Sequence, residues 1–475
     1  MVVVSMNEEN IVQTRINDRH RPKRLLLKTK LCYSRSTRPR KQKTMMLTSR
    51  TLLAAALLTL AQSASAVTLV QAGALLDRPG QAPRGASTVV VDAGKITAVL
   101  DGFVGADRYP GATVIDLRQQ FVLPGLIDSH VHLTTDRAGL DRVAAAVSTN
   151  DVDWAYEAAM NANKTLQAGF TTVRNLGDGG GVTLALRSAI AKGWATGPRI
   201  LDAGETISGT AGHADPHNGA ADWVRSATDT SNLCNSVESC RRAVRKQVGR
   251  GVDVIKIATT GGVNSNIGVG LGKQMFDDEV KALVDTAHMY GKKVAVHAHG
   301  NDGVAAALAA GADSIEHGTM LDEDTVKLFL KSGAYYVPTL STVIGYRERL
   351  AKDPNAYPPE VLKKIQWRLG VTGKSLKLAS ARGVKIAFGT DAGVSKHGDN
   401  AKEFPLMVEF GMTPAEAIKA ATVNAADLLG ISAIAGTIEA GKSADIIAVA
   451  GSPIQDIKQL GSVRFVMSQG KVVKQ

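Results

Sequence analysis

The chain has 475 residues, 44% of them hydrophobic, with 47 glycines and a formal net charge of +12. That length and apolar content exclude an extended disordered chain and allow one large domain with a smaller companion. Residues 1–50 hold 13 Lys and Arg against three Asp and Glu, leaving only +2 for everything that follows, so a nucleic-acid partner loses its support.

Residues 1–66 read as a leader. Residues 51–66 carry no charge and end in Ala64-Ser65-Ala66. With an apolar run of about ten residues before that end, this is the pattern of a secretory signal peptide cleaved before Val67. The run is too short to span a bilayer, so no stable membrane anchor is expected. Signal peptides start near their initiator methionine; Met45 or Met46 serves, which makes 45–66 the signal peptide and 1–44 a misread start. The mature chain is then periplasmic or secreted. Cys32 falls in the leader, and Cys234 and Cys240, six apart, read as a local disulfide in an exported protein.

From Val67 the pattern is short strands and turns, at Val67–Val70, Thr88–Val91, Lys95–Val99 and Thr113–Leu117. The same texture returns after Gly436, at Ala444–Val449 and Val463–Val473. Residues 67–122 and 433–475 are therefore expected to form one discontinuous β-sandwich domain. Between them, in 123–432, apolar segments of strand length alternate with helical text. The strand candidates are Leu126–His132, Thr171–Arg174, Arg199–Ala203, Val254–Ile257, Val294–His297, Ser314–His317, Tyr335–Thr339 and Ile386–Asp391. Eight such units close a (β/α)8 TIM barrel, an α/β fold whose chemistry gathers at the strand C-terminal ends.

The run Phe121–Leu133 delivers His130 and His132 with one residue between them. In a strand, residues i and i+2 point the same way roughly 6.5 Å apart, so both imidazoles can meet one metal. A His-x-His pair alone is weak evidence, and its weight comes from the other polar strand ends: Lys256, His297, His317 and Asp391. Lys256 stands inside Val-Ile-Lys-Ile. Burial favours its neutral amine, which can take up carbon dioxide and become an anionic carbamate with two oxygens.

Five motifs carry a resemblance: Gly-Leu-Ile-Asp-Ser-His-Val-His, Val-Ile-Lys-Ile-Ala with Gly261-Gly262, Val-His-Ala-His-Gly, Ile-Glu-His-Gly-Thr and Phe-Gly-Thr-Asp-Ala. With them the chain, over Val67–Val473, resembles the amidohydrolase superfamily, in the branch of imidazolonepropionase-like and Xaa-Pro dipeptidases that includes ochratoxin-hydrolysing enzymes. The resemblance implies two divalent metal ions; the ligand types suit zinc, and manganese, cobalt or iron would fit the same set. His130, His132 and Asp391 would hold one, His297 and His317 the other, and carboxylated Lys256 would bridge them. A metal-bridging hydroxide would attack an amide carbonyl, with Asp391 moving the proton to the leaving amine. His213 and His217, in the loop after the third strand, are candidates for orienting substrate, and His213 for polarising the carbonyl. His299 reads as a neighbour of the ligands. Tyr335, Tyr336 and the loop from His397 to Asn400 are expected to face the mouth and meet a substrate carboxylate.

The substrate implied is a small molecule or dipeptide, cut at the amide bond of a C-terminal residue or of an N-acyl amino acid. A lactonase or ring-opening hydrolase shares the binuclear site. A ring deaminase of the superfamily typically lacks the lysine and has Glu three past the His of the fifth strand; here that position is Gly300. A non-enzymatic scaffold is disfavoured because all six ligand positions are filled. The composition is compatible with a homo-oligomer and does not define one.

Overall fold

The computed structural model describes residues 67–227, 230–266 and 270–475; the leader and its signal peptide lie outside the described residues. Strands β1 (Thr68–Leu75), β2 (Ser87–Asp92), β3 (Lys95–Asp101) and β4 (Thr113–Pro124) come first. The middle of the chain holds β5 (Leu126–Val131), β6 (Phe170–Asn175), β7 (Arg199–Asp202), β8 (Val254–Ala258), β9 (Lys293–Ala298), β10 (Ser314–His317) and β11 (Tyr335–Val337). Strands β12 (Ile446–Val449), β13 (Phe465–Ser468) and β14 (Lys471–Lys474) end it.

The two ends of the described chain share one seven-stranded sheet, in the order β14-β13-β12-β4-β1-β2-β3. The junction is the antiparallel pair β4 and β12, in register from Ile446 opposite Pro124 to Val449 opposite Phe121. The apolar run Phe121–Leu133 is divided at Gly125, ahead of the strand expected from Leu126, and a Cβ there would lie 2.1 Å from Thr171 Oγ1. Only glycine lets β4 pass that close to β6 and hand the chain to β5.

The middle strands are parallel, in sheets β5-β6-β7 and β8-β9-β10-β11 separated in sequence by helices. Every residue of β5, β6 and β8 is buried, the mark of parallel strands covered on both faces. This is an α/β fold, and seven of the eight expected middle strands are present. The eighth segment, Ile386–Asp391, is not a regular strand. It makes bridges at Ile386 to Tyr336, and just beyond its end Ala392 bridges to Val131. Asp391 N donates to the His130 carbonyl at 2.8 Å, but Asp391 itself is left-handed (φ 58°), which turns the chain out of the extended path. Ile207, beyond β7, bridges to Ile257 of β8. The rings of Phe170, Phe388 and Phe404 pack in series beneath these segments, at centroid spacings of 5.4 and 4.4 Å.

Candidate metal centre and active site

The C-terminal ends of the parallel strands open into a cavity of about 720 Å³ whose wall includes His130, His132, His213, Lys256, His297, His299, His317 and Asp391. Alternation along β5 points His130 and His132 the same way. Their Nε2 atoms lie 3.5 and 3.3 Å from Asp391 Oδ1. Each ring is fixed from behind through Nδ1, His130 by Glu316 Oε2 and His132 by the Gly177 carbonyl, both at 2.9 Å. With the proton on Nδ1, the Nε2 lone pair is directed at the shared point, as ligating histidines require. One donor atom from each of His130, His132 and Asp391 falls within 4.8 Å of the others, a spacing that fits a cation.

His297 and His317 extend the cluster, their ring centroids 4.7 Å apart and His317 5.0 Å from His130. The Thr339 hydroxyl meets His317 Nδ1 at 2.7 Å, and His297 Nε2 lies 3.3 Å from the Gly261 carbonyl. His317, Thr339 and Asp391 all hold positive φ, 70°, 48° and 58°. Such strain on side chains other than glycine collects where geometry serves function. His213 stacks on His297 at 3.9 Å and binds Ser265 Oγ through Nδ1 at 2.6 Å. A Cβ at Gly262 would lie 2.2 Å from the His213 ring, so the double glycine after β8 is what admits that ring. His299 stacks on His317 and pairs with Thr319.

Lys256 enters from β8, 3% exposed, and its Nζ is buried without a hydrogen-bond partner among the described residues. Burial strips the ammonium of water and lowers its pKa to about 8, against the opposing pull of Glu316. Burial likewise presses His130 down to about 4 and His213 to about 3, with the Lys256 charge adding to both. For Asp391, burial works to raise the carboxyl, and His130, His132 and Lys256 outweigh it, so it stays ionised below its ordinary range.

Sequence reasoning missed the support behind these groups. Glu316, fully buried on β10, bonds His130 with one oxygen and Arg174 with the other at 2.8 Å. Arg174 also donates to the Ser129 carbonyl and Ser314 Oγ, at 2.6 and 3.1 Å. Asp128 accepts from Thr390, Asn400 and the His130 amide, tying β5 to the segment that bears Asp391. The signal available was a charge inside a buried strand, in Ile-Glu-His and Thr-Val-Arg-Asn.

Four expected substrate contacts do not lie on the cavity wall. Tyr336 points into the core, 6.0 Å from Phe329 between ring centroids, and donates its hydroxyl proton to the His317 carbonyl at 3.0 Å. Tyr335 is turned the other way by alternation and bonds Asp427 at 2.6 Å. His397 is buried against Asp136, which accepts from both its backbone and its ring. His217 is set behind its cavity-lining neighbours Pro216 and Asn218 by the turn in which its amide bonds Asp215 at 2.8 Å.

A profile of the amidohydrolase family matches residues 121–473. The ochratoxinase of Aspergillus niger is 33% identical over 430 residues, covering 86% of this chain and 87% of its own length. A solved Xaa-Pro dipeptidase with methionine bound in its active site is 40% identical, with a TM-score of 0.81 over 86% of this chain and all of its own. A prolidase solved with N-methylphosphonate-L-proline is 32% identical, with a TM-score of 0.78 over 86% of this chain and all of its own. The chain belongs to the amidohydrolase family, in the branch of Xaa-Pro dipeptidases and ochratoxinases. It is a metal-dependent hydrolase of amide bonds. Among the described residues no helix is long and apolar enough to cross a membrane.

Proposed function

We propose that the chain is an exported binuclear enzyme that cleaves dipeptides or N-acyl amino acids, ochratoxin-type substrates included, and releases the C-terminal amino acid. The observation that carries this is the Lys256 amine, buried and, among the described residues, unpartnered on the wall shared by six histidines and Asp391. As a carbamate it would cease to be a buried cation and would offer two oxygens to divalent metal ions held by the neighbouring side chains. His130, His132 and Asp391 would hold the first and His297 and His317 the second, a donor set suited to zinc. When bound, such ions make a nucleophile of water at neutral pH and polarise a carbonyl.

The chain's own groups supply the rest. Asp391, kept ionised by its histidine neighbours, accepts the water proton and returns it to the leaving amine. His213, tied through Nδ1 to Ser265, keeps Nε2 for the substrate carbonyl. Support for a discontinuous β-sandwich domain from 67–122 and 433–475 comes from the pairing of β12 with β4, and for a (β/α)8 barrel over 123–432 from two sets of backbone bonds. Ile207 N reaches the Lys256 carbonyl at 2.9 Å, and the segment around Ile386–Ala392 bonds both β11 and β5. The closed Cys234–Cys240 disulfide supports an oxidising compartment. The test is a hydrolysis panel of dipeptides, Xaa-Pro among them, N-acyl amino acids, lactones and ring amines, run on protein beginning at Val67. C-terminal amino acid release is expected; ammonia release from a ring amine without peptide cleavage would replace this reading with deamination.

A further inference from the structure

The helix Gly139–Ser148 carries its apolar face outward. Leu140, Val143, Ala144 and Val147 recur at the spacing of one helical face, and Ala145 alone of the ten residues is buried. Ala145 stands five residues past Leu140, about 140° further round the axis, so the apolar stripe is turned away from the body of the protein. The next helix, Asp151–Gln167, starts after two residues and repeats the arrangement. Val152, Tyr156 and Met160 follow at steps of four, on the side opposite the buried Ala158, Asn161 and Thr165. With Leu140, Val143 and Val147 they make six large apolar side chains that are 50 to 76% exposed.

A helix this short is marginal in water and is normally held by burying its apolar face. Here the hold comes from elsewhere: Leu140 N donates to the Ala356 carbonyl at 3.2 Å, and Arg142, Val143 and Ala146 line the metal-site cavity. The helix is thus part of the cavity wall, while its apolar stripe lies uncovered among the described residues. The six side chains expose roughly 700 Å², against the ~800 Å² that each partner contributes to a standard interface. Neither stripe contains a charged residue, so the face can meet its own copy without opposing like charges. The charges beside the stripes, Asp141, Arg142, Asp151 and Asp153, are acidic on balance, the wrong sign for an anionic lipid surface. Because the helix belongs to the cavity, its cover has to be present throughout turnover, which a second copy supplies and a transient client does not.

We propose that a second copy of this chain docks on the outward face of these two helices, against its own equivalent, and that the contact holds Gly139–Ser148 on the cavity wall. Stripes at i, i+3, i+4 and i+7 from two copies can interlock as packed helices do. Association then orders Arg142, Val143 and Ala146, and the paired chain meets substrate with a preformed wall. A single chain has to order that helix at each binding event, which raises KM and leaves the chemistry at the histidine cluster unchanged.

The experiment is sedimentation velocity over a dilution series on protein beginning at Val67, beside Val147→Glu, Tyr156→Glu and the double variant. Neither position lies on the cavity wall, and glutamate at an exposed helical site costs a single chain little. The wild type sediments as a dimer or a larger assembly built on it, and the double variant as a folded single chain. Hydrogen exchange gives a readout free of turnover: amides 141–148 exchange at least ~10-fold faster in the double variant. Its KM rises by about 10-fold with kcat nearly constant, as expected when the ordered helix is a minor population. If the double variant fails to fold, the single variants and the wild-type dilution series decide. A wild type that is a single chain at every concentration would overturn the proposal; Val147-dependent binding of that chain to phosphatidylglycerol vesicles would assign the face to lipid instead. An assembly of unchanged size in the double variant would also overturn it. Association and exchange are read without substrate, so they stand or fall separately from the amide-hydrolase reading.

Discussion

Glu316→Gln removes one charge and keeps the shape. In the native chain that carboxylate faces Arg174 at 2.8 Å and His130 at 2.9 Å, with both Glu316 and Arg174 almost wholly inaccessible to water. Burial works to raise the Glu316 carboxyl, but Arg174 and His130 outweigh it and bring it to about 2 from an ordinary 4.5. That difference corresponds to about 3 kcal/mol of stability at neutral pH. The unfolded carboxyl binds more protons between those two values, so the contribution is complete above about 4.5 and is lost as pH falls toward 2. A second route gives a similar size, since removing one partner of a buried ion pair typically costs about 3–5 kcal/mol.

For a chain this long the unfolding entropy translates that loss into a midpoint lower by roughly 3–6 °C. The substitution also loosens the Nδ1 bond that orients His130, which should weaken metal binding by about 10–100-fold. Calorimetric melts from pH 7 down to 3, with metal titrations followed by a chromophoric chelator, read both effects. A variant with the wild-type midpoint, acid profile and metal affinity would refute the claim that Glu316 holds the centre in place.

Lys256→Ala should lose bound metal and hydrolysis together, with partial recovery on adding acetate or propionate; unchanged turnover would remove the bridging role. Asp391→Asn should keep much of its metal while kcat drops by about 10²–10⁴-fold, and a wild-type rate would end its assignment as the proton carrier. The pair Cys234→Ser and Cys240→Ser opens a loop of short separation and should cost about 2 kcal/mol in urea unfolding. No change on substitution would show that the bond contributes nothing to the fold.

The parallel strands were legible because they are buried on both faces and so appear as unbroken apolar runs, as in Val-Ile-Lys-Ile and Val-Ala-Val-His. The polar residue closing each run then marked the site, and the residues His130, His132, Lys256, His297, His317 and Asp391 meet on one wall. The segment Ile386–Asp391 had the same texture but not the same structure, because left-handed backbone at Asp391 depends on contacts that no local pattern records.

Orientation within a loop or a short strand was equally hidden. Tyr335 and Tyr336 are adjacent and aromatic, and alternation sends one to Asp427 and the other into the core. Glu316 and Arg174 lie on strands 142 residues apart, so their pairing is a product of the tertiary fold.

The account depends most directly on the number of metal ions per chain. Plasma mass spectrometry on protein expressed from Val67 and freed of loose metal should find about two divalent ions per chain, and clearly fewer in Lys256→Ala. A wild type that is fully active with a single ion, and a Lys256→Ala variant with the same content, would contradict a centre bridged through that lysine.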